Sequence, residues 1–344
     1  MKKEKLNNNS ELRQDLVTGD WVIIATGRMK RPEDFSSQNQ EDISQKPRSN
    51  EDLSQCFFCY PEKTGQKKDV LIYRNSQGEW TLRVFPNKYP ILSQEIKLEK
   101  REEGPYSAFG GFGFHELIIT RDHYRSFALM KTEEVAEVFD AFQERYLTLM
   151  KEKNINYISI FHNYGKKAGA SIAHPHSQLL AIPVISPYVR LELDGAEKYY
   201  QSNQRCVYCN MLKYEQENKS RIVYQNDDFI AFCPFAARSS FEIWVLPKKH
   251  MPYFERINDK EKIALAKVFQ KSMYALYKAL NNPALNFYIH TSPCDGQDYI
   301  HYHWHIEIIP RTSTWAGFEL ETGVEVTALP PEKAAEYLRK ALKE

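Results

Sequence analysis

The sequence predicts an α+β fold of two tandem units, each an antiparallel sheet with helices on one side, fused around a common core. The chain has 344 residues, which is enough for about two domains of ordinary size. Strand-like and helix-like segments follow one another in the same order in both halves, and cysteines and histidines recur at matching places. Such a repeated order is typical of duplicated units.

Composition and charge exclude several classes of protein. The net charge is +1, so no overall field favours nucleic acid or a membrane surface, and we find no basic stripe interleaved with aromatic residues. No apolar run approaches the roughly 18 residues that span a bilayer. The polar segment from Met1 to Arg13 lacks the apolar core of a signal peptide. We therefore expect a soluble cytoplasmic protein.

Each repeat opens with an apolar, strand-like run that ends in two polar residues and a histidine. Residues 114–123 read FHELIITRDH, and residues 241–250 read FEIWVLPKKH. Apolar residues at helical spacing follow, behind Thr132 in the first half and behind Asn258 in the second. Each repeat is therefore predicted to begin as a strand followed by a helix.

Each repeat closes with a β-type segment and a histidine-rich strand. The β-type segments span residues 155–161 and 285–289, and the histidine-rich strands span residues 173–183 and 300–310. Both halves therefore end in a strand that carries metal-binding or nucleophilic side chains.

The histidines of the two repeats have the same spacing. His174 lies 51 positions after His123, and His301 lies 51 positions after His250. We interpret the chain as two copies of one unit. The predicted parts are an N-terminal unit at residues 1–185, a linker at residues 186–203 and a C-terminal unit at residues 204–344.

Each half offers two cysteines and two histidines in the same order, as Cys-x-x-Cys, a histidine after a strand and a histidine on the closing strand. The predicted ligand sets are Cys56, Cys59, His123 and His174 in the first half, and Cys206, Cys209, His250 and His301 in the second. Zn²⁺ favours tetrahedral thiolate and imidazole ligands, and four protein ligands leave no open position. We therefore predict two structural zinc sites.

Alternatives to these ligand sets remain open. The cysteines and histidines are also compatible with buried free thiols and core imidazoles. In the first half His115 competes with His123, although the repeat aligns His115 with a glutamate. In the second half His303 and His305 compete with His301.

A short motif, His174-Pro-His176-Ser-Gln178, predicts catalysis. Alternate residues of a strand face the same way, so we expect one imidazole to hold metal, the next to attack, and the glutamine to donate to an anionic oxygen. The preceding segment, residues 163–171, is rich in glycine and small polar residues, which lets backbone amides approach phosphate oxygens. A neutral imidazole there is a candidate nucleophile towards phosphorus. A buried histidine pair satisfied by the backbone is the structural alternative.

This motif resembles the active site of the galactose-1-phosphate uridylyltransferases, the transferase branch of the histidine-triad superfamily, and the similarity covers nearly the whole chain. It implies a histidine-triad-like fold for both units and a homodimer. The ligand types themselves favour zinc as the metal, with iron as the alternative at the second site. The substrate-binding residues that it implies are Arg28, Arg31, Phe85, Asn87, Asn163, Ser171, Gly317, Phe318 and Glu319.

The resemblance also implies a two-step reaction of galactose metabolism. His176 would attack the α-phosphorus of UDP-glucose, release glucose 1-phosphate and pass the uridylyl group to galactose 1-phosphate, which gives UDP-galactose. Gln178 would hydrogen-bond the transferring phosphoryl group, and the carbonyl of His174 would orient the other ring nitrogen of the nucleophile. The second half is expected to be structural.

The second half departs from the better-known bacterial uridylyltransferases, which use a glutamate and several histidines for their second metal. Here Cys206 and Cys209 stand instead, and with residues 317–323 they make the chain similar also to the plant-type ADP-glucose phosphorylase. That relative keeps the histidine nucleophile but transfers AMP to inorganic phosphate. The base and the acceptor therefore stay open. A further alternative is a non-catalytic nucleotide-binding protein in which zinc only stabilises the fold.

Overall fold

Both halves of the chain contain the predicted succession of strands and helix. The computed structural model describes residues 10–28, 53–54 and 56–343. It places strands at β1 (Glu11–Gln14), β2 (Trp21–Ile24), β3 (Leu71–Arg74), β4 (Trp80–Pro86), β5 (Lys100–Glu103), β6 (Tyr106–Phe109), β7 (Phe114–Thr120), β8 (Tyr157–Tyr164), β9 (His176–Ile182), β10 (Ile222–Gln225), β11 (Phe229–Phe232), β12 (Ile243–Pro247), β13 (Leu285–His290), β14 (His305–Pro310) and β15 (Glu325–Thr327). It places α-helices at α1 (Thr132–Leu149), α2 (Pro187–Asn203), α3 (Val207–Asn218), α4 (Asp259–Ala279), α5 (Gly317–Thr322) and α6 (Pro331–Ala341).

One continuous antiparallel sheet runs through both halves. Its 10 strands lie in the order β10-β11-β12-β14-β13-β8-β9-β7-β4-β3, so that each half contributes its strands in the same relative order. The halves meet where β8 pairs with β13, with Phe161 opposite Tyr288 and Asn163 opposite Asn286. Backbone hydrogen bonds therefore join the two units. The predicted fold of two fused antiparallel units is confirmed.

Helices α1 and α4 cover one face of the sheet and form the shared core. Helix α4 begins at a capping box, in which Asn258 and Glu261 each accept a hydrogen bond from the other's backbone amide. The rings of Phe127, Phe269 and Phe287 meet edge to face between the helices and β13, at centroid distances of 5.5, 5.3 and 5.0 Å. This cluster joins elements of both halves.

The opposite face of the sheet is covered mainly in the second half, by α2 and α3. The predicted linker, residues 186–203, forms α2, because the Ser186 hydroxyl accepts from the Val189 amide at 3.3 Å and Pro187 takes the first helical position. Trp244 lies buried with residues of these two helices. The cluster on the first half is smaller and consists of Cys56, Phe58, Phe85, Leu117 and Ile119. The first half therefore has the more open face.

A separate sheet of 3 strands joins distant parts of the chain. Strand β15 pairs in parallel with β2, which pairs with β1. Arg13 on β1 donates to the carboxylate of Glu332 on α6 at 3.0 and 3.1 Å. Strands β5 and β6 form an exposed hairpin. Among the helices in the described part of the chain, none has both the length and the apolar composition needed to cross a membrane.

We expect Phe269→Ala to lower the free energy of unfolding by about 3–5 kcal/mol, because it removes a buried ring and leaves a cavity. Urea denaturation followed by tryptophan fluorescence measures the change. As a control on the same helix, Ile263→Ala removes a side chain that is 56% exposed and should change the value by less than about 0.5 kcal/mol. Equal effects of the two substitutions would contradict this packing.

Candidate active site and metal centres

The first predicted ligand set comes together in the structure. The ligand atoms of Cys56, Cys59, His123 and His174 all lie within 4.8 Å of one another. Cys59 Sγ lies 3.3 Å from His123 Nδ1 and 3.5 Å from His174 Nδ1. His174 Nε2 donates to the Thr120 carbonyl at 2.7 Å, so that its Nδ1 lone pair faces the sulfurs.

The charge balance of this group fits a divalent cation. Burial opposes ionisation of Cys56, but its contacts with the imidazoles of His123 and His174 outweigh burial and lower the pKa of this thiol to about 5. Burial and the neighbouring Cys56 thiolate raise the pKa of Cys59 to about 12. One thiolate thus disfavours the second unless a cation lies between them, and Zn²⁺ binds both thiolate and imidazole. The residues fit a closed Cys₂His₂ zinc site.

The second group differs from the predicted one in its fourth member. It consists of Cys206, Cys209, His250 and His303. Cys209 Sγ lies 3.4 Å from His250 Nδ1 and 3.6 Å from His303 Nδ1. His303 Nε2 donates to the Pro247 carbonyl at 3.0 Å, as His174 does to Thr120. His301 lies in a turn outside this group, so the prediction that it completes the set is wrong.

The error has a simple structural cause. Phe161 pairs with Gln178 between β8 and β9, and Tyr288 pairs with Glu307 between β13 and β14. The stretch that joins these paired positions is therefore 2 residues longer in the second half. The equal spacing of fifty-one residues led to His301, but the longer loop moves the equivalent position to His303.

His176, the predicted nucleophile, is the first residue of β9 and is buried. Its Nδ1 donates to the carbonyl of His174 at 2.9 Å, which leaves Nε2 without a proton. Burial lowers the pKa of His176 and so favours the neutral ring. The Phe58 ring meets it edge on at 5.0 Å. His174 itself precedes β9 rather than lying on it, so only His176 and Gln178 share the predicted strand face.

The second half has different chemistry at the position of the nucleophile. His305 is fully buried, and its Nε2 lies 3.6 Å from carboxylate oxygens of both Glu192 and Glu307. Burial alone would lower the pKa of His305, but the two carboxylates raise it to about 10. The cationic ring has no lone pair for attack, which supports a structural second half. With His290 these residues form a buried cluster of two imidazoles and two carboxylates, which the sequence analysis missed.

The predicted phosphate loop is held from the second half of the chain. Asn286 Nδ2 donates to Asn163 Oδ1 at 2.7 Å and to the Ala168 carbonyl at 2.9 Å. Arg311 Nε donates to Asn286 Oδ1 at 2.5 Å. Gly165 opens the loop at φ +81°, a conformation that favours glycine. Sequence reasoning found Asn163 but missed Asn286 and Arg311, which reach the loop only through the pairing of β8 with β13.

Gln178 lies beside His176 on the open face of the sheet, and the side chain of His115 contacts it there. Its Oε1 is 2.9 Å from His115 Nε2, and the Asn87 side-chain nitrogen lies 3.4 and 3.3 Å from the two ring nitrogens of His115. Sequence reasoning had considered His115 only as a metal ligand. The contact arises because His115 lies two residues before Leu117, which pairs with Gln178, and the sequence alone carried no signal for that register.

The remaining predicted residues lie in several places. Phe85 is fully buried against Phe58, at a centroid distance of 6.0 Å, and Ser171 is exposed in the loop before β9. The three residues predicted to contact the hexose lie on α5: Gly317, Phe318 and Glu319. No hydrogen bond or ring contact among the described residues joins α5 to the nucleophile. The side chain of Arg28, and Arg31 altogether, lie outside the described residues.

The fold and the site together define a tandem histidine-triad enzyme in which only one unit keeps a neutral candidate nucleophile. A family model described as galactose-1-phosphate uridyl transferase, N-terminal domain, matches residues 1–186, and a HIT-domain model matches residues 215–314. The chain therefore belongs to the galactose-1-phosphate uridylyltransferase family.

Similar proteins span nearly the full length of the chain. An ADP-glucose phosphorylase from Arabidopsis thaliana is 33% identical over 97% of this chain and 93% of its own length. A galactose-1-phosphate uridylyltransferase from Thermotoga maritima is 27% identical over 96% and 98%, respectively. The crystal structure of an ADP-glucose phosphorylase from Arabidopsis thaliana with bound ADP-glucose has a TM-score of 0.81 at 30% identity and covers 96% of this chain and 99% of its own. These relatives are nucleotidyltransferases, and the chain is an enzyme of that class.

We expect His303→Ala to lose one bound zinc ion per chain and His301→Ala to keep both, because of these two histidines it is His303 that faces the thiols of the second group. Elemental analysis by inductively coupled plasma mass spectrometry, on protein purified without chelators, measures the content. Metal loss in His301→Ala together with retention in His303→Ala would show that this ligand assignment is incorrect.

Proposed function

We propose that this enzyme transfers a nucleoside monophosphate from a sugar nucleotide to a phosphate acceptor through a covalent nucleotidyl-His176 intermediate. The observation that carries the proposal is the hydrogen bond from His176 Nδ1 to the His174 carbonyl at 2.9 Å. It directs the unprotonated Nε2 away from the backbone, on a ring that burial keeps neutral.

In the first step, Nε2 of His176 attacks the α-phosphorus and forms a phosphorus–nitrogen bond. The bond from the α-phosphorus to the bridging oxygen breaks, and the sugar 1-phosphate leaves with that electron pair. In the second step, a phosphate oxygen of the acceptor attacks the same phosphorus and displaces the imidazole nitrogen. No external base is needed in the first step, because the attacking nitrogen carries no proton.

The groups around His176 can stabilise the charge that develops on the phosphoryl oxygens. Gln178 presents an amide on the same strand face, and Asn163 and the glycine loop lie on the neighbouring strand. The resemblance adds Ser171 and the guanidinium groups of Arg28 and Arg31 to this set.

Zinc would have a structural role at both cysteine-containing groups, since four protein ligands leave no position for substrate. In the first group His174 is held through Nδ1 by the ligand set and through Nε2 by Thr120. This fixes the carbonyl that orients His176. The first site would thus support catalysis by holding the nucleophile in place.

Two pairs of donor and acceptor are candidates for this reaction. UDP-glucose and a hexose 1-phosphate follow from the active-site motif and would place the enzyme in galactose metabolism. ADP-glucose and orthophosphate are supported by the higher identity to the plant ADP-glucose phosphorylase, at 33% against 27% for the Thermotoga enzyme. The ligand group with Cys206 and Cys209 also supports this second pair.

The test is the intact mass of the protein after incubation with UDP-glucose alone or with ADP-glucose alone. We expect a covalent adduct with one of them, absent in His176→Ala and retained in His301→Ala, which removes a histidine outside the ligand groups. A UMP adduct discharged by galactose 1-phosphate would favour the uridylyltransferase. An AMP adduct discharged by orthophosphate would favour the phosphorylase.

Absence of an adduct with both sugar nucleotides would contradict the proposal. If His176→Ala then still bound sugar nucleotide with unchanged affinity, the non-catalytic nucleotide-binding protein would be the better account. An adduct that persists in His176→Ala would place the nucleophile elsewhere.

We also propose that the enzyme is a homodimer in which α5 supplies its hexose-contacting residues to the partner's site. In support, Trp315 and Phe318 are 51% and 49% exposed at the start of α5, although both are large and apolar. Sedimentation equilibrium should give twice the chain mass, and Phe318→Asp should shift the protein towards monomer. A monomeric wild-type protein would contradict this assembly.

A further inference from the structure

His115 lies between Gln178 and the segment that follows β4. It stands on β7 opposite Leu180, whereas Leu117 stands opposite Gln178 and Ile119 opposite His176. His115 therefore lies beyond Gln178 along the strands, on the side away from the nucleophile. Its side chain is buried, and it belongs to none of the metal-ligand groups found in the described residues.

The hydrogen bonds of His115 determine which of its nitrogens carries the proton. The backbone amide of Ile91 donates to Nδ1 at 3.3 Å, and an amide N–H can only donate. Burial lowers the pKa of His115, so the ring is neutral and has a single N–H. That proton is therefore on Nε2. The Asn87 amide lies at nearly equal distances from both nitrogens and does not select between them.

The Nε2 proton of His115 in turn determines the orientation of the Gln178 amide. Nε2–H donates to Gln178 Oε1 across 2.9 Å. Because the amide is planar, an oxygen turned towards His115 turns the NH₂ group in the other direction, and by the strand register that is the side of His176. With the amide reversed, two N–H donors would face each other and an oxygen would face the phosphoryl group.

We propose that His115 is a positioning residue that holds the Gln178 amide with its NH₂ group towards the transferring phosphoryl oxygens. The inference rests on the proposed function, since it assigns His115 a part in phosphoryl transfer to His176. It also links two parts of the site. The segment after β4 determines the His115 tautomer through the backbone amide of Ile91, and His115 determines the orientation of the phosphoryl contact.

The kinetic test is the single-turnover rate of adduct formation on His176, measured by rapid quench and intact mass with the sugar nucleotide that labels the wild type. His115→Phe keeps a ring of similar size and removes the N–H. We expect the rate at saturation to fall about 10- to 100-fold, less than the loss typical for deletion of a transition-state donor. The half-saturating concentration should change less than about 2-fold, because the contact strengthens in the transition state.

A double-mutant cycle separates this role from a general structural one. In a Gln178→Ala background, His115→Phe should slow the rate less than about 2-fold further, because its effect passes through the missing amide. The same full loss in both backgrounds would overturn the inference. The matched control, His301→Phe, should keep the wild-type rate. Wild-type zinc content and melting temperature check that each variant is folded.

Nitrogen-15 NMR of histidine-labelled, unliganded wild type tests the tautomer without any activity measurement. The His115 signals, assigned by their absence in His115→Phe, should show a protonated Nε2 and an unprotonated Nδ1. A protonated Nδ1 would overturn the inference even if the variants failed to fold. If the wild type forms no adduct, the proposed function fails; if it does and His115→Phe forms it at the wild-type rate, only the role of His115 fails.

Discussion

The antiparallel pairing of β8 with β13 is the constraint on which the rest of the structure depends. It makes one sheet of two and brings α1 and α4 together over a shared core. Because side chains alternate along a strand, the pairing of β9 with β7 and β8 places His176, Gln178 and Asn163 on the face opposite these helices. A shift of β9 by one residue would turn His176 and Gln178 into the core. The same pairing places Asn286 next to Asn163, so the second half stabilises a loop of the first.

The two units have the same arrangement of strands but carry different side chains at equivalent positions. In both, a histidine donates its Nδ1 proton to the carbonyl two residues earlier, at 2.9 Å for His176 and 3.2 Å for His305. A glutamine follows in the first unit and a glutamate, Glu307, in the second. The carboxylates raise the pKa of His305 and stabilise its protonated ring, whereas burial lowers the pKa of His176 and favours its neutral ring. Helices α2 and α3 also cover the second position. The two positions therefore differ both in charge and in access.

Local pattern was enough to predict the fold and the first ligand set, because helical spacing, strand alternation and the Cys-x-x-Cys pair are all properties of short segments. Spacing failed where loop length intervened: the longer loop before β14 moved the ligand from His301 to His303. The group around Glu192 was not predictable in this way, since its members come from α2, β13 and β14. Gln178 was found by its motif, but its contact with His115 depends on cross-strand register, which the sequence alone does not specify.

The pairing of β8 with β13 also bears on how a fused pair of units can arise. Strands β8 and β13 occupy equivalent places in the two units and pair antiparallel, which is the arrangement that two identical subunits adopt about a twofold axis. An ancestral single unit would have exposed this strand as an open edge, and open edges pair with copies of themselves. In a single chain this pairing does not require the two copies to be identical, and here one unit has a neutral imidazole where the other has a buried ion-pair network.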